Sequence, residues 1–161
     1  MEINYGYQLK GKVKNSVKRL HDRLFPDKNY DGFDDMSFVA HKKGKLIGFI
    51  EIEQLSDREY LLEHLNKIYE GFNTKPTDFH ISKMGISSEF RGSGYGTQLL
   101  KRGLARKINE CKAKPEKVWA LVNEENPSHE FWLRRDFTVF HEELNPALSD
   151  YSKQTIYYKE D

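Results

Sequence analysis

The stretch EFRGSGYGTQLL, residues 89–100, sets the terms for the whole chain. Gly92, Gly94 and Gly96 stand at alternate positions behind Arg91, directly before a run that reads as a helix. Ordered glycine costs conformational entropy, so such a cluster needs a geometric reason. Either the backbone simply turns sharply into the helix, or it turns so that something can lie against its bare N–H groups. The preceding segment DFHISKMGI (78–86) reads as a strand. A strand, a glycine-rich turn and a helix start together form a ready anion site, because first-turn N–H groups lack intrahelical partners and the helix dipole is positive there. Arg91 adds a positive side chain. A Walker A loop, G-x-x-x-x-G-K-[ST], is absent. The dinucleotide fingerprint G-x-G-x-x-G needs glycine at 97, where Thr97 stands.

The chain of 161 residues is most simply one domain spanning 1–161. Its 13% aromatic content argues for a folded globular protein. A net charge of +1 gives no global pull towards nucleic acid or membrane. Charge is uneven, however: residues 83–117 hold nine Lys or Arg against three Asp or Glu, a local balance of +6. The bland reading of Lys101, Arg102, Arg106 and Lys107 within it is the solvated face of a helix. Cys111 is alone, which excludes an intrachain disulfide and a cysteine metal cluster. The N-terminal residues lack an apolar leader pattern, and stretches such as LIGFI are too short to span a bilayer, so a soluble cytoplasmic protein without a membrane partner is expected.

Working outward from the glycines, INYGYQL (3–9) reads as a first strand, and Val13, Val17, Leu20 and Leu24 mark a helix over 15–24 that Pro26 ends. MSFVAHK (36–42) and KLIGFIEIEQL (45–55) are strands joined by a hairpin signal at Gly44. Ser56 and Glu59 have capping-box spacing before a helix over 56–70. Beyond the glycines, Leu100, Leu104 and Ile108 mark one helical face, KVWALVN (117–123) is a strand, and Asn126-Pro127 starts a helix running into SHEFWLRR. FTVFHEEL (137–144) and QTIYYKE (154–160) close the chain as strands. The fold class is α+β, a mixed central sheet flanked by helices.

With R-G-x-G-x-G after MGISSEF, then a strand and an N-P…F-W…F helix, residues 79–140 resemble the acetyl-coenzyme A binding core of the GNAT family of N-acetyltransferases. The family signature Gln/Arg-x-x-Gly-x-Gly/Ala is met by Arg91, Gly94 and Gly96. The resemblance implies a single-domain acyl-CoA N-acyltransferase fold and acetyl-CoA as co-substrate, with no metal. It implies that backbone N–H groups of Arg91, Gly92, Ser93, Gly94, Tyr95, Gly96 and Thr97 cradle the pyrophosphate. Met84, Gly85 and Ile86 would splay from the 117–123 strand and pair with the pantetheine arm, flanked by Asn123, Asn126 and the Phe131–Trp132 helix.

Acyl transfer to an amine needs a deprotonated amine, a polarised thioester and a protonated leaving group. His80 lies four residues before Met84, on the same side of a strand, where histone-acetylating relatives carry a glutamate. It is the candidate base, against the plainer reading of a histidine that packs in the sheet. Glu51 and Glu53 are weaker candidates, read as alternating surface carboxylates. The chain departs from the family pattern in three places. Trp132 stands where a proton-donating tyrosine often sits, and nothing selects among Tyr95, Tyr151 and Tyr157 as its substitute. Asp136 replaces a glycine, and the 56–70 helix is inserted, either walling the acceptor site or making an oligomer contact such as a homodimer. In the 26–36 loop, Asp27, Asp31, Asp34 and Asp35 with Tyr30 and Phe33 would suit a cationic acceptor, although a solvated acidic loop is the plainer reading. The expected activity is direct acetyl transfer from acetyl-CoA to a primary amine of a small molecule or peptide. The alternative is a catalytically silent acyl-CoA-binding sensor, and a nucleic-acid binder is disfavoured by the charge balance.

Overall fold

The computed structural model describes residues 3–7, 12–25, 37–57, 63, 75–123, 129–135, 137–139 and 154–160. The chain forms two units, Met1–Ile52 with Lys83–Glu110 and Glu53–Ser82 with Cys111–Asp161.

The first unit begins with β1 (Ile3–Tyr7) and α1 (Lys12–Leu24), then β2 (Ser37–Lys42) and β3 (Lys45–Gln54, of which residues 45–52 belong here). β1 runs antiparallel to β2, from Ile3↔Lys42 to Tyr7↔Phe38. β2 and β3 form the expected hairpin, with a register shift between Ala40 and His41. Lys43 (φ 50°) and Gly44 (φ 76°) close it. Two positive-φ residues in a two-residue loop are the type I′ signature, whose twist matches that of the flanking strands. All of Ile47–Ile52 is buried, so β3 is covered on both faces rather than alternating.

α1 starts at Lys12, three residues before the expected boundary, so that Val13, the first of the periodic apolar positions, falls inside the helix. Val17 and Leu20 join Val39 and Phe49 in a buried cluster, with Leu24, Phe25 and Leu46 packed against it. His21 takes the neighbouring core position at 1% exposure, its ring 5.3 Å from Phe25 and 6.3 Å from Phe49.

α2 (Tyr95–Glu110) follows the glycines. Its buried stripe is Leu99, Leu100, Gly103 and Lys107, whereas Leu104 and Ile108 are half-buried. This corrects the expected 100/104/108 face by about one residue of helical rotation. Gly103 is the reason: a Cβ there would lie 3.1 Å from Ile50 Cγ2, so the bare position lets the helix press close to the strand. Lys101, Arg102 and Arg106 are solvated as read, but Lys107 is only 8% exposed and extends the buried stripe with its alkyl stem.

The second unit holds the start of β4 (Phe79–Ile86), whose residues from Lys83 onward belong to the first unit. β4 pairs in parallel with β5 (Lys117–Asn123) over Phe79↔Val118, His80↔Trp119 and Ile81↔Ala120. Parallel neighbours require a long crossover, and the chain between them contains α2. β7 (Gln154–Glu160) runs antiparallel along the whole of β5, and β6 (Thr138–Val139) pairs with β7. The short helix α3 (His129–Leu133) precedes β6. Strand pairing is thus mixed and the class is α+β, as read from the sequence. Of the expected 56–70 helix, Ser56 and Asp57 lie in a 3₁₀ turn, Leu55–Asp57, and beyond them only Glu63 is described, as helical. The rest of that helix, the acidic loop (Asp27, Tyr30, Asp31, Phe33, Asp34, Asp35), Asn126, Asp136 and Tyr151 lie outside the described residues.

Candidate active site

Where β4 ends, Ser87 donates its N–H to the Ile47 carbonyl at 2.8 Å and a 3₁₀ turn, Ser88–Phe90, follows. The backbone then reverses at Gly92 (φ 82°) and Gly94 (φ 83°), a region closed to L side chains without strain. Nothing lies within 4 Å of a Cβ built at either glycine, so conformation alone, and not crowding, demands glycine there. Gly96 differs, being the second residue of α2. Residues 91–94 are exposed. The helix's internal bonding begins at Gln98, whose N–H donates to Gly94 at 3.2 Å. The opening N–H groups of α2 precede this first i→i−4 bond, at the end where the helix dipole is positive.

Side chains add to this potential. Arg91 donates its Nε–H to the Ile86 carbonyl at 3.1 Å, which ties the guanidinium to the end of β4, and its own N–H meets the Ser88 carbonyl at 3.4 Å. Lys42 donates to the Tyr95 hydroxyl at 3.3 Å and lies 5.6 Å from the centroids of both Phe90 and Tyr95. Lys45 lies 5.8 Å from the Phe90 ring and 3.5 Å from the Glu89 carboxylate. These hairpin lysines were missed in the sequence, where HKKGK carried only a turn signal. On α2, Arg102 lies 4.7 Å over the Tyr5 ring. The Tyr5 hydroxyl titrates above its ordinary value because burial outweighs the opposing pull of Arg102. Just upstream, Met84, Gly85 and Ile86 are half-buried. A Cβ at Gly85 would meet Leu24 Cδ1 at 2.5 Å and Phe49 Cε1 at 3.2 Å, so this glycine, unlike those of the turn, is required by packing.

The second unit concentrates polar side chains in its interior. His80, on β4, has its Nδ1 3.0 Å from Glu53 Oε1 on β3, and the two side chains are 11% and 12% exposed. Glu51, on the part of β3 that belongs to the first unit, is itself only 3% exposed. The reading of Glu51 and Glu53 as surface carboxylates is therefore corrected: the strand is covered on both faces, which alternation alone did not reveal. Asp78, fully buried, accepts the N–H groups of Lys75 and Lys117, both at 2.9 Å, and the Trp119 indole N–H at 3.3 Å. Trp132 on α3 is 5% exposed, with edge contacts to Phe131 and Phe137 at 5.1 and 5.2 Å. Asn123 is the last residue of β5, and Tyr157 lies on β7.

Of the sequence-derived site residues, Met84–Ile86 and Arg91–Thr97 come together in the first unit. His80, Asn123 and Trp132 belong to the second. Among the described residues, no three His, Cys, Asp or Glu are grouped to hold a metal ion, and no helix is long and apolar enough to cross a membrane. The exposed turn, the helix start behind it and the cations Arg91, Lys42 and Lys45 fit a ligand bearing phosphate charge.

Solved structures give the class. Ard1 from Thermoplasma volcanium superposes with a TM-score of 0.67 at 15% identity, covering 99% of this chain and 98% of that one. Arabidopsis thaliana Naa50, in complex with the bisubstrate analogue CoA-Ac-MVNAL, gives 0.65 at 14% identity with 100% of both chains covered. N-acetylglutamate synthase from Neisseria gonorrhoeae, complexed with coenzyme A and N-acetyl-glutamate, gives 0.64 at 13%, covering 99% of this chain and 35% of the other. At such identities the likeness shows the fold, that of acyl-CoA N-acyltransferases. The sequence itself goes further: residues 11–137 match the model of the acetyltransferase (GNAT) family, and the chain belongs to that family. No curated protein matches it.

Proposed function

We propose that the protein is an N-acetyltransferase that moves the acetyl group of acetyl-CoA directly to a primary amine of a small molecule or peptide. The observation that supports this most is the exposed turn held open by Gly92 and Gly94 at the N-terminus of α2, within a chain of this family. Acetyl-CoA supplies an acyl carbon already activated as a thioester. The backbone of residues 91–97 would hold its pyrophosphate, with Arg91, Lys42 and Lys45 lending charge. The N–H and C=O groups of Met84, Gly85 and Ile86 would align the pantetheine arm, flanked by Asn123, Asn126 and Trp132. His80 would take the proton that the amine sheds as its nitrogen bonds to the acyl carbon and the C–S bond breaks. Direct attack calls for no protein nucleophile, in keeping with a chain whose single cysteine is Cys111. Among relatives of this fold, Naa50 is seen with a peptide-bearing analogue and N-acetylglutamate synthase with an amino-acid product, and both acceptor types fall within the proposal. We place it as a single-domain cytoplasmic enzyme.

The test is a calorimetric titration with acetyl-CoA of the parent and of Gly94→Val, followed by a screen of peptide and small-molecule amines. Micromolar binding by the parent, weakened at least about tenfold in the variant, together with transfer to an amine, supports the reading. Binding without transfer to any amine would instead favour a silent acyl-CoA sensor, and an absence of binding would end both.

A further inference from the structure

In a neutral imidazole one ring nitrogen carries the proton and the other a lone pair, and the hydrogen bond made by the first decides which is which. Only one hydrogen bond to the His80 ring is present among the described residues, between Nδ1 and the Glu53 carboxylate at 3.0 Å. An ionised carboxylate can only accept. We infer that Glu53 is a positioning residue: its carboxylate holds the proton on Nδ1 of His80 and so presents Nε2, with its lone pair, as the basic atom. This rests on the acetyltransferase reading above.

Burial strengthens the case. With both side chains nearly withdrawn from water, the pair is little screened and its geometry is fixed by two adjacent strands rather than by flexible loops. Buried Asp78 is committed to the N–H groups of Lys75, Lys117 and Trp119, and the carboxylate that meets the ring is that of Glu53. In the reaction the amine's proton passes to Nε2, the Nδ1 proton stays where it is, and Glu53 remains ionised and balances the imidazolium charge that results. The ring then releases the Nε2 proton to solvent, and the leaving thiolate takes a proton from solvent. Glu53 gains and loses nothing in the cycle. Its contribution is a tautomer and a charge.

The ¹⁵N spectrum of histidine-labelled protein reads the tautomer without any acceptor substrate, with His80→Ala providing the assignment. The parent is expected to show neutral His80 protonated on Nδ1. Glu53→Leu is expected to shift the ring towards the Nε2–H form and to lower kcat about a hundredfold with the KM for acetyl-CoA unchanged. Glu53→Gln, close to isosteric and still able to accept from Nδ1, should keep the tautomer and lose only about tenfold, and it serves as the test if the leucine variant does not fold. A parent that acetylates amines but carries the proton on Nε2 overturns this inference alone. So does a His80→Ala enzyme as fast as the parent, or a Glu53→Leu enzyme with unchanged kcat. A parent that fails to bind acetyl-CoA overturns the acetyltransferase reading itself, and the role assigned here with it.

Discussion

The glycine turn and the interior around Asp78 solve opposite problems with opposite means. At residues 91–94 the useful groups are main-chain N–H donors, the residues are exposed, and nothing packs where a Cβ would stand. Around Asp78 the useful group is a side chain, a fully buried carboxylate that accepts from two backbone N–H groups and one indole N–H. The turn leaves its backbone at the surface, whereas the interior brings three donors to one buried acceptor. His80 and Glu53 are buried like the second group, and Nδ1 of the ring joins them.

This contrast can be tested by substitution. Asp78→Ala should do the most damage to folding, about 3 kcal/mol and roughly 10 °C in Tm, because two backbone N–H groups and an indole N–H lose their acceptor in a dry setting. Thermal and urea unfolding would measure it, and a loss below 1 kcal/mol would mean that water reaches the site. Gly85→Val comes next, at about 2 kcal/mol, since its Cβ must displace Leu24 and Phe49. Gly94→Val should cost only about 1–2 kcal/mol in the same assay, all of it from backbone strain at positive φ, while removing most acetyl-CoA affinity. A Gly94 variant as unstable as Asp78→Ala would erase the distinction between the two regions. The smallest effect is expected at the exposed Lys18–Asp22 pair, 2.7 Å apart. The Asp22 carboxyl is held below its ordinary range, first by the Lys18 hydrogen bond and then by His21. A depressed carboxyl stabilises the fold above its unfolded pKa and loses that contribution as pH falls through the folded value. Lys18→Ala should therefore leave stability near neutrality almost unchanged and slightly flatten its decline in acid.

How far the sequence could be read follows the same division. Local chemistry was legible: β5 and β7 match the segments 117–123 and 154–160, the Gly44 hairpin closes where its turn residues stand, and the helix after the glycines begins at Tyr95. These signals lie in a few consecutive residues. The α2 face was misjudged because Gly103 has no side chain to count in a periodicity, yet its absence of bulk sets the docking. His21 stands at a core spacing between Leu20 and Leu24, and only its polarity hid it. Glu53 could not be assigned its partner at all. Its spacing from His80 is 27 residues, and which carboxylate of β3 meets which residue of β4 depends on register, which no short window of sequence contains.

The turn at Gly92 and Gly94 also makes a statement about handedness. Because its φ angles of 82° and 83° are the ordinary basin of mirror-image residues, what the positions require is not smallness but the opposite chirality, and glycine is merely the one encoded residue that does not object. Semisynthetic protein with D-alanine at 94 should bind acetyl-CoA nearly as the parent does, where L-alanine weakens it. The binding information in this loop is then stereochemical, written in a property that a list of side chains cannot express.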